Sequence, residues 1–350
     1  MSASALSATS GLTSSEVEGI AATSCALGAV SALGCVVAVA AAVATREPEA
    51  WSFVQELVLV LLLSDFGFSC QYVFVAPRPG SPACYAQATL GQFFTVASML
   101  WSAVIADVLR RVLIRAQDRA AIERLRVPYH AAVWGCSLFM TILPGALGTF
   151  GPAGPWCWID SSRGVGPSGH VSRFSTVILV IWLSIAYQVW CFLKIRVFVE
   201  RSLTLFAELE DASAGAATPD AAAAAAGERS LRAVQRLFVF PLVIVAARFW
   251  GTINRIHNWA AGKGEDEAAL YYLHAIPLAL QGALHAVAVL ERPLRRLGAR
   301  CLRVARPPPS EDAAPMKGAP GDDDEAGDGD DDGDAFEDVD LGDAGDVELV

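Results

Sequence analysis

Seven long apolar runs dominate the chain, at roughly residues 19–44, 52–76, 85–108, 130–148, 174–199, 233–254 and 269–290. A helix needs about 20 mostly apolar residues to cross a bilayer core, and each run is near that length or longer. None alternates with period two, and only helices or closed barrels satisfy the backbone in lipid. The runs therefore predict an all-α membrane protein, a seven-transmembrane helix bundle. Composition agrees: 54% of the 350 residues are hydrophobic and the mean hydropathy is +0.42, too apolar for an ordinary soluble domain. The Ser/Thr/Ala-rich N-terminus has no basic segment. No cleaved signal peptide is expected, and the first run serves as its own insertion signal.

Charge sets the orientation. Loops between runs 2–3, 4–5 and 6–7 carry five basic residues, Arg78, Arg163, Arg173, Arg255 and Lys263. The opposite face carries 20, beginning at Arg46 and clustering around Arg110–Arg126, Lys194–Arg236 and Arg292–Lys317. Basic loops stay cytoplasmic, which predicts the N-terminus outside and the C-terminus inside. The formal net charge of −11 hides this pattern, because residues 311–350 hold 17 of the 37 acidic residues. The basic residues lie where topology places them, and no nucleic-acid partner is expected.

Four segments follow: an extracellular N-terminus (1–18), the seven-helix bundle (19–292), an amphipathic membrane-surface helix (293–306) and a disordered acidic cytoplasmic tail (307–350). In the third segment, "LRRLGARCLRVA" alternates apolar residues and arginines in a helical rhythm, suited to an inner leaflet and its lipid headgroups. Cys301 is placed there for lipidation. The third inner loop contains "DASAGAATPDAAAAAAGERS", a low-complexity linker. The tail composition cannot form a core.

On this topology two of the eight cysteines, Cys84 and Cys157, lie outside the cell. Extracellular cysteines pair in an oxidising compartment, and a Cys84–Cys157 disulfide is expected. It would tie the second outer loop, with Trp156 and Trp158 beside the bond, to the top of the third helix.

Four strings sharpen the assignment: "LSDFGFS" (63–69), "CYAQATLGQFFTVASMLW" (84–101), "GPWCWI" (154–159) and "FPLVIVAARFWGTINRIHN" (240–258). In order and spacing they resemble the cyclic-AMP-receptor-like family of G-protein-coupled receptors of slime moulds and plants, over roughly residues 50–300. The resemblance implies a cell-surface receptor in the plasma membrane that transduces an extracellular ligand to a cytosolic partner, a heterotrimeric G protein. It implies no cofactor and no metal, and by the family's name a small ligand such as a cyclic nucleotide.

Ionisable residues inside a span are functional candidates. Asp65 takes the family's inward-facing acidic position, where a partner, proton or sodium ion would bias two helix arrangements. His285 stands where similar sequences carry asparagine and could hydrogen-bond Asp65. With Trp250 these form the expected activation switch; Trp101 reads as core. Arg248 replaces an aromatic residue and could pair an anionic ligand group. Gln87, Gln92, Trp158, Arg248 and His274 are the expected ligand contacts beneath the loop. Arg110, Arg111, Arg115 and Arg232 are the expected transducer contacts, and Asp107 could form a charge lock onto the sixth helix.

Other classes fit less well. A retinal protein needs a lysine in the seventh run, and Lys194, Lys263 and Lys317 all lie elsewhere. An intramembrane hydrolase lacks a nucleophile string, and Asp65 and Asp107 belong to different helices at different depths, so no enzyme is expected. A transporter or channel is the alternative, but it calls for internal repeats or a file of polar residues, and neither is evident.

Overall fold

A computed structural model describes residues 2–44, 53–160, 171–213, 239–260 and 267–304. Arg232, the linker core beyond Ser213 and the acidic tail lie outside the described residues, as does the side chain of Cys301.

Nine α-helices and one small hairpin make up the described chain. They are α1 (Ser2–Ser10), α2 (Ser14–Ala44), α3 (Phe53–Cys70), α4 (Pro82–Ile114), α5 (Arg119–Glu123), α6 (Arg126–Ala146), β1 (Phe150–Pro152), β2 (Cys157–Ile159), α7 (Leu179–Ser213), α8 (Val239–Ala260) and α9 (Ala268–Val304). A wider π-type turn, Phe174–Ile178, leads into α7. The seven long helices α2, α3, α4, α6, α7, α8 and α9 coincide with the seven apolar runs. Six of them are long and apolar enough to cross a bilayer. The other, α6, has 21 residues, which at 1.5 Å per residue rises about 31 Å, close to one hydrocarbon thickness.

Local chemistry sets the helix starts. Thr13 and Glu16 form a reciprocal capping box before α2: Thr13 N–H donates to Glu16 Oε2 (2.8 Å), and Glu16 N–H donates to Thr13 Oγ1 (3.3 Å). Ser81 Oγ accepts from Cys84 N–H at the head of α4, with Pro82 in the first turn. Asp118 caps α5 by accepting from Ala121 N–H.

α4 is the most buried helix and packs against α3, α6 and α7. Its seam with α7 is polar: Ser102 Oγ donates to Gln188 Oε1 (3.0 Å), and Gln188 Nε2 donates to Ser184 Oγ (2.9 Å). The N-terminal segment contributes α1, whose Leu6 is fully buried. Residues up to Glu291 form one compact unit. The segment expected as a separate surface helix is helical as far as Val304 and is continuous with α9.

Candidate functional site

The site is built downward from the hairpin. β1 and β2 pair antiparallel, Pro152 opposite Cys157 and Phe150 opposite Ile159. Their turn needs Gly154: φ is +93°, and a Cβ there would lie 2.5 Å from the Tyr271 ring. Cys84 and Cys157 are joined as a disulfide, with Cα atoms 5.3 Å apart. Gln87 reinforces it, accepting from Cys157 N–H (2.7 Å) and donating to Phe74 O (2.9 Å). Arg255 donates from Nη1 and Nη2 to Ala153 O, both at 3.2 Å, and Arg173 donates to Ile159 O. Trp156 packs edge-on against Tyr271 and His274 of α9. The hairpin is thus fastened to α4, α8 and α9 and to the segment leading into α7.

Beneath it lies a partly open cavity. Gln87, Trp158, Arg248 and His274 line it, together with Arg255, Gly251 and an apolar wall that includes Phe68 and Ile181. Of the expected ligand contacts, Gln92 alone stands outside this wall. It is fully buried, donates to Met140 O on α6 and accepts from Trp158 Nε1 (2.8 Å), so it positions the tryptophan rather than facing the cavity.

Arg248 leads from the cavity to the switch. Its Nη2 donates to Gln281 Oε1 (3.3 Å). Gln281 Nε2 donates to Asp65 Oδ1 (2.6 Å), and Ser98 Oγ donates to the same oxygen (2.6 Å). Asp65 Oδ2 lies 2.5 Å from His285 Nδ1, and His285 Nε2 lies 3.1 Å from Phe240 O at the start of α8. The carbonyl can only accept, so Nε2 carries a proton. The short contact at Nδ1 needs a second proton between ring and carboxyl. Imidazolium against carboxylate and imidazole against carboxylic acid both supply it, and both leave the pair with zero net charge. One buried chain of hydrogen bonds therefore links α3, α4, α8 and α9.

Trp250 is not part of it. Two helical residues from Arg248 turn the side chain about 200° away, and Trp250 is 36% exposed, packed edge-on against Phe249. Trp101 is fully buried, edge-on to His130 and Trp134.

At the inner end of α4, Asp107 gathers a second network. It accepts from Arg110 Nη2 (2.6 Å), Arg111 Nε (2.7 Å), Tyr129 Oη (2.5 Å) and Tyr187 Oη (2.6 Å). The lock expected onto the sixth helix therefore closes onto α6 and α7, whose tyrosines reach the carboxylate. Arg110 is buried over the Trp190 ring, so it holds the lock instead of presenting charge to a partner. Arg111 is half-buried and Arg115 is exposed.

Ser98, Gln281, Arg255, Tyr129 and Tyr187 carry these networks and were not singled out from sequence. Gln281 had a signal, since it stands four residues before His285 and so shares its helix face.

Comparison with known proteins shows likenesses both in sequence and in fold. The family described as slime mold cyclic AMP receptor matches residues 41–199. G-protein coupled receptor 1 of Arabidopsis thaliana is 26% identical over 247 residues, covering 69% of each chain. G-protein coupled receptor 157 of Homo sapiens is 26% identical over 254 residues, covering 69% of this chain and 71% of its own. In fold the chain is similar to squid rhodopsin, with a TM-score of 0.61 and 16% identity over 84% of this chain and 89% of that one.

Proposed function

We propose that this chain, which is similar to the slime mold cyclic AMP receptor family over residues 41–199 and to curated G-protein coupled receptors, is a multi-pass membrane receptor that passes an extracellular small-molecule signal to a heterotrimeric G protein. In this reading it sits in the plasma membrane with its N-terminus outside. The ligand enters under the hairpin and meets Gln87, Trp158, Arg248 and His274. Asp65 and His285 form the switch. The arginine-rich inner ends of α4 and α6, with Arg111 and Arg115, face the transducer.

One observation carries the reading: Arg248 lines the cavity with part of its surface and holds Gln281, and through it Asp65, with a guanidinium nitrogen. A group that draws Arg248 toward the cavity competes directly with that bond. The chain Arg248–Gln281–Asp65–His285–Phe240 O then conveys the change to the first turn of α8, whose displacement would open the inner face.

Reconstituted in vesicles with a G-protein heterotrimer, the chain is expected to raise the ligand-free rate of GDP release from Gα. Gln281→Leu, which uncouples Arg248 from Asp65, is expected to change that rate while surface expression persists. Equal rates with and without the chain would count against the reading.

A further inference from the structure

We propose that the cavity beneath the hairpin binds a small organic oxyanion, a carboxylate or phosphate on an apolar body, between Arg248 and Arg255. The inference rests on the reading of this cavity as the ligand site and adds the ligand's chemical class.

The charge count is the first reason. Arg248 and Arg255 are each only 6% exposed, both line the cavity, and among the described residues its wall contains no aspartate or glutamate. The nearby Asp65 carboxyl lies outside the cavity wall and is already engaged by His285, Ser98 and Gln281. Two guanidinium charges thus face one cavity with no carboxylate among its described lining residues. Burying an uncompensated charge is costly, and an incoming anion removes that cost.

Unused donors are the second reason. The Nε–H of Arg248 and the Nε–H of Arg255 are buried without a hydrogen-bond partner. Arg255 has its two terminal nitrogens on Ala153 O, and its guanidinium is boxed by the rings of Trp156, Trp158 and Tyr271 at 5.3–5.7 Å. That fixes the fork in place. Arg248 lies over the Phe68 ring at 5.2 Å.

The geometry between them suits an anion. Seven residues separate the two arginines, two turns of α8, so both lie on one stripe about 10 Å apart along the axis. Gly251 stands in the gap, where a Cβ would come within 2.8 Å of His274 Nε2. His274 Nδ1 lies 3.2 Å from Asn254 Nδ2, which donates to it, leaving the ring proton on Nε2 beside the notch. An oxyanion there meets guanidinium donors above and below and an imidazole N–H between. Phe68, Tyr72, Ile181 and Leu278 take up the apolar body.

The test uses the full chain in lipid nanodiscs and calorimetric titration. The probes are phenylacetate and phenylphosphate, their neutral relatives phenylacetamide and benzyl alcohol, the cation phenethylamine, and cyclic AMP as a nucleotide phosphate. At least one anion is expected to bind about tenfold or more tightly than its neutral relative, and the two simple anions distinguish carboxylate from phosphate. Arg248→Gln and Arg255→Gln are each expected to weaken that anion about tenfold. The probe series on the unaltered chain needs no variant, so a variant that misfolds leaves the test intact. Neutral or cationic probes binding as tightly as the anions would overturn the proposal. So would the absence of any anion binding up to roughly 10 mM, or unchanged anion affinity in both glutamine variants. Anion selectivity without G-protein exchange would leave this site standing and remove the receptor reading; exchange without anion selectivity would do the reverse.

Discussion

Replacing His285 by leucine is expected to destabilise the folded chain by about 3–5 kcal/mol, whereas Asp65→Asn is expected to change stability by less than about 1 kcal/mol. The contrast follows from the proton count. Leucine leaves the Asp65 carboxyl buried with only Ser98 and Gln281 as partners and leaves Phe240 O without its imidazole donor. Asparagine preserves every bond: its oxygen accepts from Ser98 and Gln281, and its amide donates to His285 Nδ1, which is then an ordinary neutral acceptor. Thermal unfolding of both variants in lipid nanodiscs separates the cases. Equal losses would mean that the pair is not the neutral, proton-sharing unit inferred from its geometry. Asp65→Asn also replaces a movable proton with a fixed amide, so its exchange activity reports whether the switch needs that proton to move.

Asp107→Ala is the second large effect, again about 3–5 kcal/mol. The carboxylate is buried and carries two arginines and two tyrosines from three helices. Without it Arg110 remains buried over Trp190 with its counter-charge gone. The inner end of α4 also loses its bonds to α6 and α7. Unfolding should show the loss, and basal GDP release should rise, because the inner ends of three helices are freed together. Asp107→Asn keeps one acceptor oxygen and should fall between wild type and alanine. An alanine variant as stable and as quiet as wild type would contradict this account of the lock.

The spans were legible because the bilayer imposes a length, and apolar runs of that length have few other uses. The disulfide was legible because topology left two cysteines on the oxidising side. Asp65 showed itself as a charge where charges are expensive. Its partners depend on which helix faces meet, and that is a matter of packing rather than of local sequence. Arg255 was hidden by a boundary: with the sixth run ending near 254, it counted as a loop charge, but α8 continues to Ala260 and carries it onto the same face as Arg248. Trp250, expected with Asp65 and His285 in the switch, lies two residues from Arg248 on a different side of α8 and is 36% exposed. The tyrosines that bind Asp107 gave no sign, because a tyrosine near a helix end is as often a packing residue.

The receptor reading requires the hairpin-roofed mouth to face outside and the arginine-rich ends of α4 and α6 to face the cytosol. Epitope tags at the two termini of the full chain, probed in intact and permeabilised cells, test this directly. The N-terminal tag is expected to bind antibody in intact cells, and the C-terminal tag only after permeabilisation. Both tags accessible together in intact cells, or the C-terminal tag alone, would contradict it.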